Sequence, residues 1–275
     1  MFMGMVCAHE NNNSYDNIKD VIDNSQDESV NLDEKTYYLN PESETHIIVN
    51  KSITIEGISE KTIIDGNNNS LHLDVLEENG SNSDIHTIKP VSIYDIKNTG
   101  KHITFKNITL KDLNLISRHE MEFIDCKFLN ANFTSIELNN TFENCVFNQS
   151  HVELYCYEYA GYKYYTKMNS CTIINSMVSS KIMVFIEVVG SSRVYFKNSM
   201  NLTNSNITNS KISLSHNKIH IYNSRFSKST INGASDKINI TNAPFTNSTV
   251  GFSYSDIYFE KTSLDNTELK FHAGY

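Results

Sequence analysis

The chain repeats on a step of five. Phe123, Phe128 and Phe133 form an apolar triplet at i, i+5 and i+10, and Phe142, Phe147 and Val152, then Met168, Ile173 and Val178, form the next two. Ile221, Phe226 and Ile231, then Ile240, Phe245 and Val250, then Phe259, Leu264 and Leu269 continue the series, and Phe105, Leu110 and Leu115 precede it. Phe196 and Ile207 fit with one residue inserted between them. Two residues before the second apolar position stands a small side chain: Cys126, Cys145, Cys171, Ser224, Ala243 or Thr262. The third is preceded in the same way by Ala131, Ser150, Ser176, Ser229, Ser248 or Thr267. One position further back is often Asn or Asp, as at Asp125, Asn130, Asn144, Asn175, Asn223, Asn242 and Asn247.

A helix does not explain this pattern. A step of five advances about 500° around an α-helix, so the apolar set would spiral over its surface. In a strand, residues i and i+2 share a face, so the small and the large residue both point inward. The Asn or Asp then makes a corner, because these residues tolerate the left-handed backbone region. The 36 Asn against 10 Gly suit a chain that turns often without glycine. Counted from Phe105 to Phe259, the first apolar positions are spaced 18, 19, 26, 28, 25, 19 and 19 residues apart. A basic coil near 19 residues, built from three short strands, gives an all-β chain wound as a right-handed parallel β-helix of about ten coils. Like residues then stack in ladders, with Cys126, Cys145 and Cys171 in one of them.

Three coils are long. Their excess residues fall between Val152 and Met168, between Val178 and Phe196, and between Ile207 and Ile221, and insertions at one corner of a solenoid stack into a ridge. The first insertion carries Tyr155, Tyr157, Tyr159, Tyr162, Tyr164 and Tyr165 with Glu158; the second carries Glu187 and Arg193. The third, TNSKISLSHNK, carries His216. Phenol rings stack on sugar rings and their hydroxyls bond to sugar hydroxyls, so this ridge is the candidate binding surface. Alternating tyrosines equally suit an extra strand or hairpin around Ala160-Gly161.

The block YYLNPES…HIIVNKSITIEGISEKTIIDGNNN, followed by ITFKNITL, IDCKFLNANF and IHIYNSRF, resembles the pectate-lyase-like, right-handed parallel β-helix domains of adhesin-like surface proteins of methanogenic archaea. The resemblance covers residues 35–275. It implies a non-catalytic cell-surface module with cell-wall or host glycans as partners.

Other solenoids of this shape are polysaccharide lyases and glycoside hydrolases, and that activity is the alternative. The D-D, G-H-G and R-x-K signatures of polygalacturonases are missing. Acid–base hydrolysis needs two carboxylates about 5–9.5 Å apart, and no acid ladder stands out beyond Asp125 and Glu143. Asp65 reads as a turn residue. His216 and His220, four apart on strand-like sequence, are too far apart for one metal. No cofactor and no metal are expected. Net charge is −9 and there are three Arg, which excludes a nucleic-acid-binding face.

Residues 1–8 read as the remnant of a signal peptide, and residues 9–34 as a flexible acidic lead-in or an N-terminal cap. The β-helix is expected over 35–275, extracellular or at the cell surface, without a membrane span. Another domain after residue 275, or a partner over the last coil, is expected to cover the open end.

Overall fold

The computed structural model describes residues 17–23, 28–39, 45–49, 51–74, 101–136, 139–157, 165–183, 199–215, 218–253 and 256–272. These residues wind as a right-handed parallel β-helix. Three ten-stranded sheets run the length of the solenoid, and every strand pairs in parallel with its counterpart one coil away. One coil shows the unit: Glu120–Ile124 in the first sheet, Lys127–Leu129 in the second and Asn132–Ile136 in the third. The register is that of the five-residue step, with Phe123 opposite Phe105 and Phe142, and Phe128 opposite Leu110 and Phe147.

The corners have a common cause. Asp125, Asn144, Asn204, Asn223 and Asn242 adopt φ between 50° and 55° where the first sheet turns into the second. Asp112, Asn130, Asn175, Asn209, Asn247 and Asn266 do the same, at 44° to 50°, where the second turns into the third. Amide side chains then bond up the stack: Asn144 Nδ2 donates to Asp125 Oδ1 at 3.1 Å, Asn223 Nδ2 to Asn204 Oδ1 at 3.0 Å, and Asn242 to Asn223. The Asn therefore serves twice, as a left-handed residue and as a rung of a polar ladder.

Inside, ring lies on ring. Phe105, Phe123 and Phe142 stack with centroids 5.5 and 5.2 Å apart, and Phe128 and Phe147 at 4.7 Å. All five are fully buried. Each such side chain contributes roughly 1.5–3 kcal/mol by burial alone.

The small inward residues do more than save space. The corner bends their N–H groups away from the strand ladders, and the serine hydroxyl of the next coil accepts them: Ser150 N–H to Ser176 Oγ at 3.0 Å, Ser176 to Ser210 at 3.2 Å, Ser210 to Ser229 at 3.1 Å and Ser229 to Ser248 at 3.2 Å. Each hydroxyl donates in turn to a backbone carbonyl, as Ser229 Oγ does to Ser227 O at 2.8 Å. Ser229→Ala leaves the Ser210 N–H buried without its acceptor and is expected to cost about 1–3 kcal/mol. Urea unfolding followed by circular dichroism measures it.

Cys126, Cys145 and Cys171 occupy the same inward position as free, buried thiols in three successive coils. Burial pushes the Cys145 thiol well up, and its neighbours Cys126 and Cys171 push the same way. The thiolate is the reactive form. Because all three thiols are shut away from solvent, they are expected to resist iodoacetamide at pH 8 until the protein is unfolded in urea, as peptide mapping by mass spectrometry would read.

Two features differ from the sequence reading. Leu202, and not Phe196, holds the first-sheet position: it pairs with Met168 on one side and Ile221 on the other. Leu202, Ile207 and Ile212 then keep the plain five-residue step, with Ser205 and Ser210 inward and Asn204 and Asn209 at the corners. The third insertion does not exist. Lys211–Ser215 is an ordinary third-sheet strand, and the second insertion takes the extra length. His216 lies outside the described residues.

At the N-terminal end, the first-sheet strand Ser29–Leu32 is already in place ahead of residue 35. Helix Ile18–Asp23 precedes it, with Ile18 and Ile22 buried and Asn17 Oδ1 accepting the Lys19 N–H at 2.9 Å as an N-cap. A turn of helix thus packs its apolar face on the core. Residues 1–8 lie outside the described residues.

Candidate functional site

The two remaining insertions lie where the third sheet returns to the first. The third-sheet strand before the tyrosine-rich insertion is lengthened, His151–Tyr157, and pairs over its whole length with Met177–Met183. The first tyrosines of the insertion thus extend a parallel rung, which is the strand alternative offered by their alternation. Tyr155 is half-buried on the outer face, and its hydroxyl donates to Glu153 Oε2 at 2.9 Å. Glu153 Oε1 lies 3.4 Å from His151 Nε2. Side chains at i, i+2 and i+4 of one strand share a face, so His151, Glu153 and Tyr155 form a polar line across the third sheet. Tyr165, half-buried at the start of the next first-sheet strand, donates its N–H to Asn139 Oδ1 at 2.9 Å, and the Lys167 ammonium sits 4.5 Å from its ring centroid. The Tyr157 side chain, and Tyr159, Tyr162, Tyr164, Glu158, Glu187 and Arg193, lie outside the described residues.

A concavity lies at a different corner. Where the second sheet turns into the third, an open trough of about 490 Å³ runs across four successive coils. Its floor is Ser150, Ser176 and Ser210; Gln149, Asn175, Asn209 and Lys228 rise on one side, and His151, Met177, Lys211 and Thr230 on the other. A second open hollow of about 610 Å³ continues the same corner over the last two coils, past Asn247, Thr249, Asn266 and Glu268. The cause is the small-residue rule. Each left-handed turn points its serine into the solenoid, so the residues before and after it stand out as two walls with nothing large between them. Coils stack about 4.8 Å apart, so the walls present polar groups at that interval.

The outer face of the first sheet carries a cluster that the sequence reading missed. His102 lies between two carboxylates, Nε2 at 3.4 Å from Glu122 Oε2 and Nδ1 at 3.8 Å from Glu120 Oε2. Asn139 Nδ2 donates to Glu120 Oε1 at 2.8 Å, and Thr104 Oγ1 donates to Glu122 at 3.4 Å. The signal was available, since His102 and Glu120 each stand three residues before an aligned Phe. Asp65 serves its turn. Its Oδ1 accepts the Asn67 N–H at 2.9 Å and its Oδ2 pairs with Lys111 at 2.7 Å, which with Asp112 holds the Lys111 ammonium above its ordinary pKa. Among the described residues, no group of three His, Cys, Asp or Glu could hold a metal, and no helix is long and apolar enough to cross a membrane.

No family model matches the chain, and no curated protein matches it. Among solved structures, the mannuronan C-5 epimerase A-module of Azotobacter vinelandii is similar over 90% of each chain at 10% identity and a TM-score of 0.29. Endopolygalacturonase I from Stereum purpureum is similar over 94% of this chain and 98% of its own, at 14% identity and a TM-score of 0.28.

Proposed function

We propose that the protein is a non-catalytic, adhesin-like module that works at the cell surface and holds an extended polysaccharide of a cell wall or host along its solenoid axis. The observation that carries this reading is the serine-floored trough: six successive coils present amides, hydroxyls and a few charges in line along one corner. Such a surface matches a chain of hydroxyl-bearing rings, one short segment per coil. Tyr155 and Tyr165, on the outer faces flanking the insertions, add aromatic surface of the kind that stacks on sugars. A glycan array, read together with assays for new reducing ends and unsaturated uronates, tests it. Binding of one polysaccharide class without product is expected; product release overturns the non-catalytic reading.

A second reading has one specific support. Glu120 and Glu122 flank His102 on the outer face of the first sheet, and glycoside hydrolases and polysaccharide lyases work through acidic and basic side chains of this kind. Under that reading, Glu122→Gln lowers product release by at least about 100-fold, whereas the preferred reading has no release for the substitution to lower.

A further inference from the structure

We propose that the trough selects an anionic polysaccharide, with Lys211 and Lys228 as the residues that read its carboxylates; this rests on the polysaccharide reading above.

The charge is unusual for the molecule. The chain carries a net charge of −9, yet no carboxylate lines the trough over its four coils, and the charged groups there are two ammoniums with the His151 imidazole beside them. Neither lysine has an ion-pair partner among the described residues. Most other lysines of the outer surface are engaged: Lys111 with Asp65, Lys127 with Glu60, Lys270 with Glu268, and Lys167 and Lys237 over tyrosine rings. Both trough ammoniums are exposed and free to meet a ligand.

Lys228 also stands against local preference. It holds φ 49° in the left-handed column that Asp112, Asn130, Asn175, Asn209, Asn247 and Asn266 supply in other coils, with Gln149 as the other departure. Lysine is disfavoured there, and it forgoes the amide bonds that join Asn209 to Asn175 and Asn266 to Asn247 at 2.8 and 2.6 Å. Lys261, at φ 49° in the other corner column, pairs with Glu260 at 3.7 Å; Lys228 has no such compensation. A position that breaks its own ladder to place a cation in a hollow is where a functional demand is expected.

The geometry suits a repeating anion. Lys211 is in register with Thr230, two residues after Lys228, so the two lysines stand on opposite walls, one coil apart. The coil interval of about 4.8 Å is comparable to the length of one pyranose unit. A uronate chain in the trough brings successive carboxylates past first one wall and then the other, while Gln149, Asn175 and Asn209 bond to ring hydroxyls.

Isothermal titration with two hexasaccharides that differ only at C6 tests this: cellohexaose, and the hexamer in which every C6 is a carboxylate. The uronate is expected to bind at least about tenfold more tightly at 50 mM salt and to lose that advantage at 0.5 M, as screening requires. Lys211→Ala with Lys228→Ala is expected to remove the preference, and Lys237→Ala to leave it intact. Equal affinity for the two hexamers, or an undiminished preference in the double variant, overturns the assignment while polysaccharide binding stands. Failure of both hexamers and of every glycan on the array removes the underlying reading, and this one with it. Circular dichroism melting of the double variant matches the parent if these exposed lysines do no structural work.

Discussion

Phe123→Ala is expected to lower the stability of the solenoid by about 3–5 kcal/mol. The ring is fully buried and touches four others: it stacks on Phe105 and Phe142 and meets Phe128 and Phe133 edge-on, both at 5.1 Å. Removing it opens a void between three coils that the parallel ladders on both sides hold apart, so the walls have little freedom to collapse. Lost ring contacts add about 0.5–1.5 kcal/mol per pair to the transfer cost. Urea denaturation by tryptophan-independent means, such as far-ultraviolet dichroism, suits a chain with no Trp. Phe123→Leu, which keeps most of the volume, is expected to cost less than half as much. Equal losses for the two would mean that the site does not pack as described.

Asn223→Val is the second large effect, about 3 kcal/mol, and it works through the backbone rather than the core. Asn223 sits at φ 55°, a region that costs an ordinary residue roughly 1–2 kcal/mol and a β-branched one more. The substitution also removes an amide that donates to Asn204 and accepts from Asn242. Each such bond is worth about 0.5–1.5 kcal/mol net. Asn223→Gly separates the two contributions, because glycine accepts the turn and loses only the ladder. It is expected to fall well short of the valine variant in the same unfolding measurement. A glycine variant as unstable as the valine one would assign the whole effect to the ladder.

The corner asparagines and the inward triplets are legible in the sequence because both are local: five residues contain one turn, one small residue and one large one. What local spacing could not resolve was phase after a long interruption. VYFKNSMNLTN offers both Phe196 and Leu202 as the inward residue, and only Asn204 and Ser205, followed five residues on by Asn209 and Ser210, decide for Leu202. The hydroxyl ladder was hidden for another reason. Cys, Ala and Ser look alike when the criterion is size, and the need for an acceptor appears only when the next coil's N–H is in view. The trough is a property of register between coils, so it has no signature in any single one. Of the tyrosine surface proposed from the first insertion, Tyr155 and Tyr165 are found half-buried in polar company.

A stack of coils with fixed pitch is also a ruler. Under the proposed polysaccharide binding, polymers whose repeat is commensurate with it would add one similar contact per coil and gain affinity in proportion to length, whereas a slightly longer or shorter repeat would drift out of phase after a few units and gain nothing further. Discrimination between polysaccharides of identical chemistry but different linkage would then grow with oligomer length, being negligible for a disaccharide and large for a hexamer.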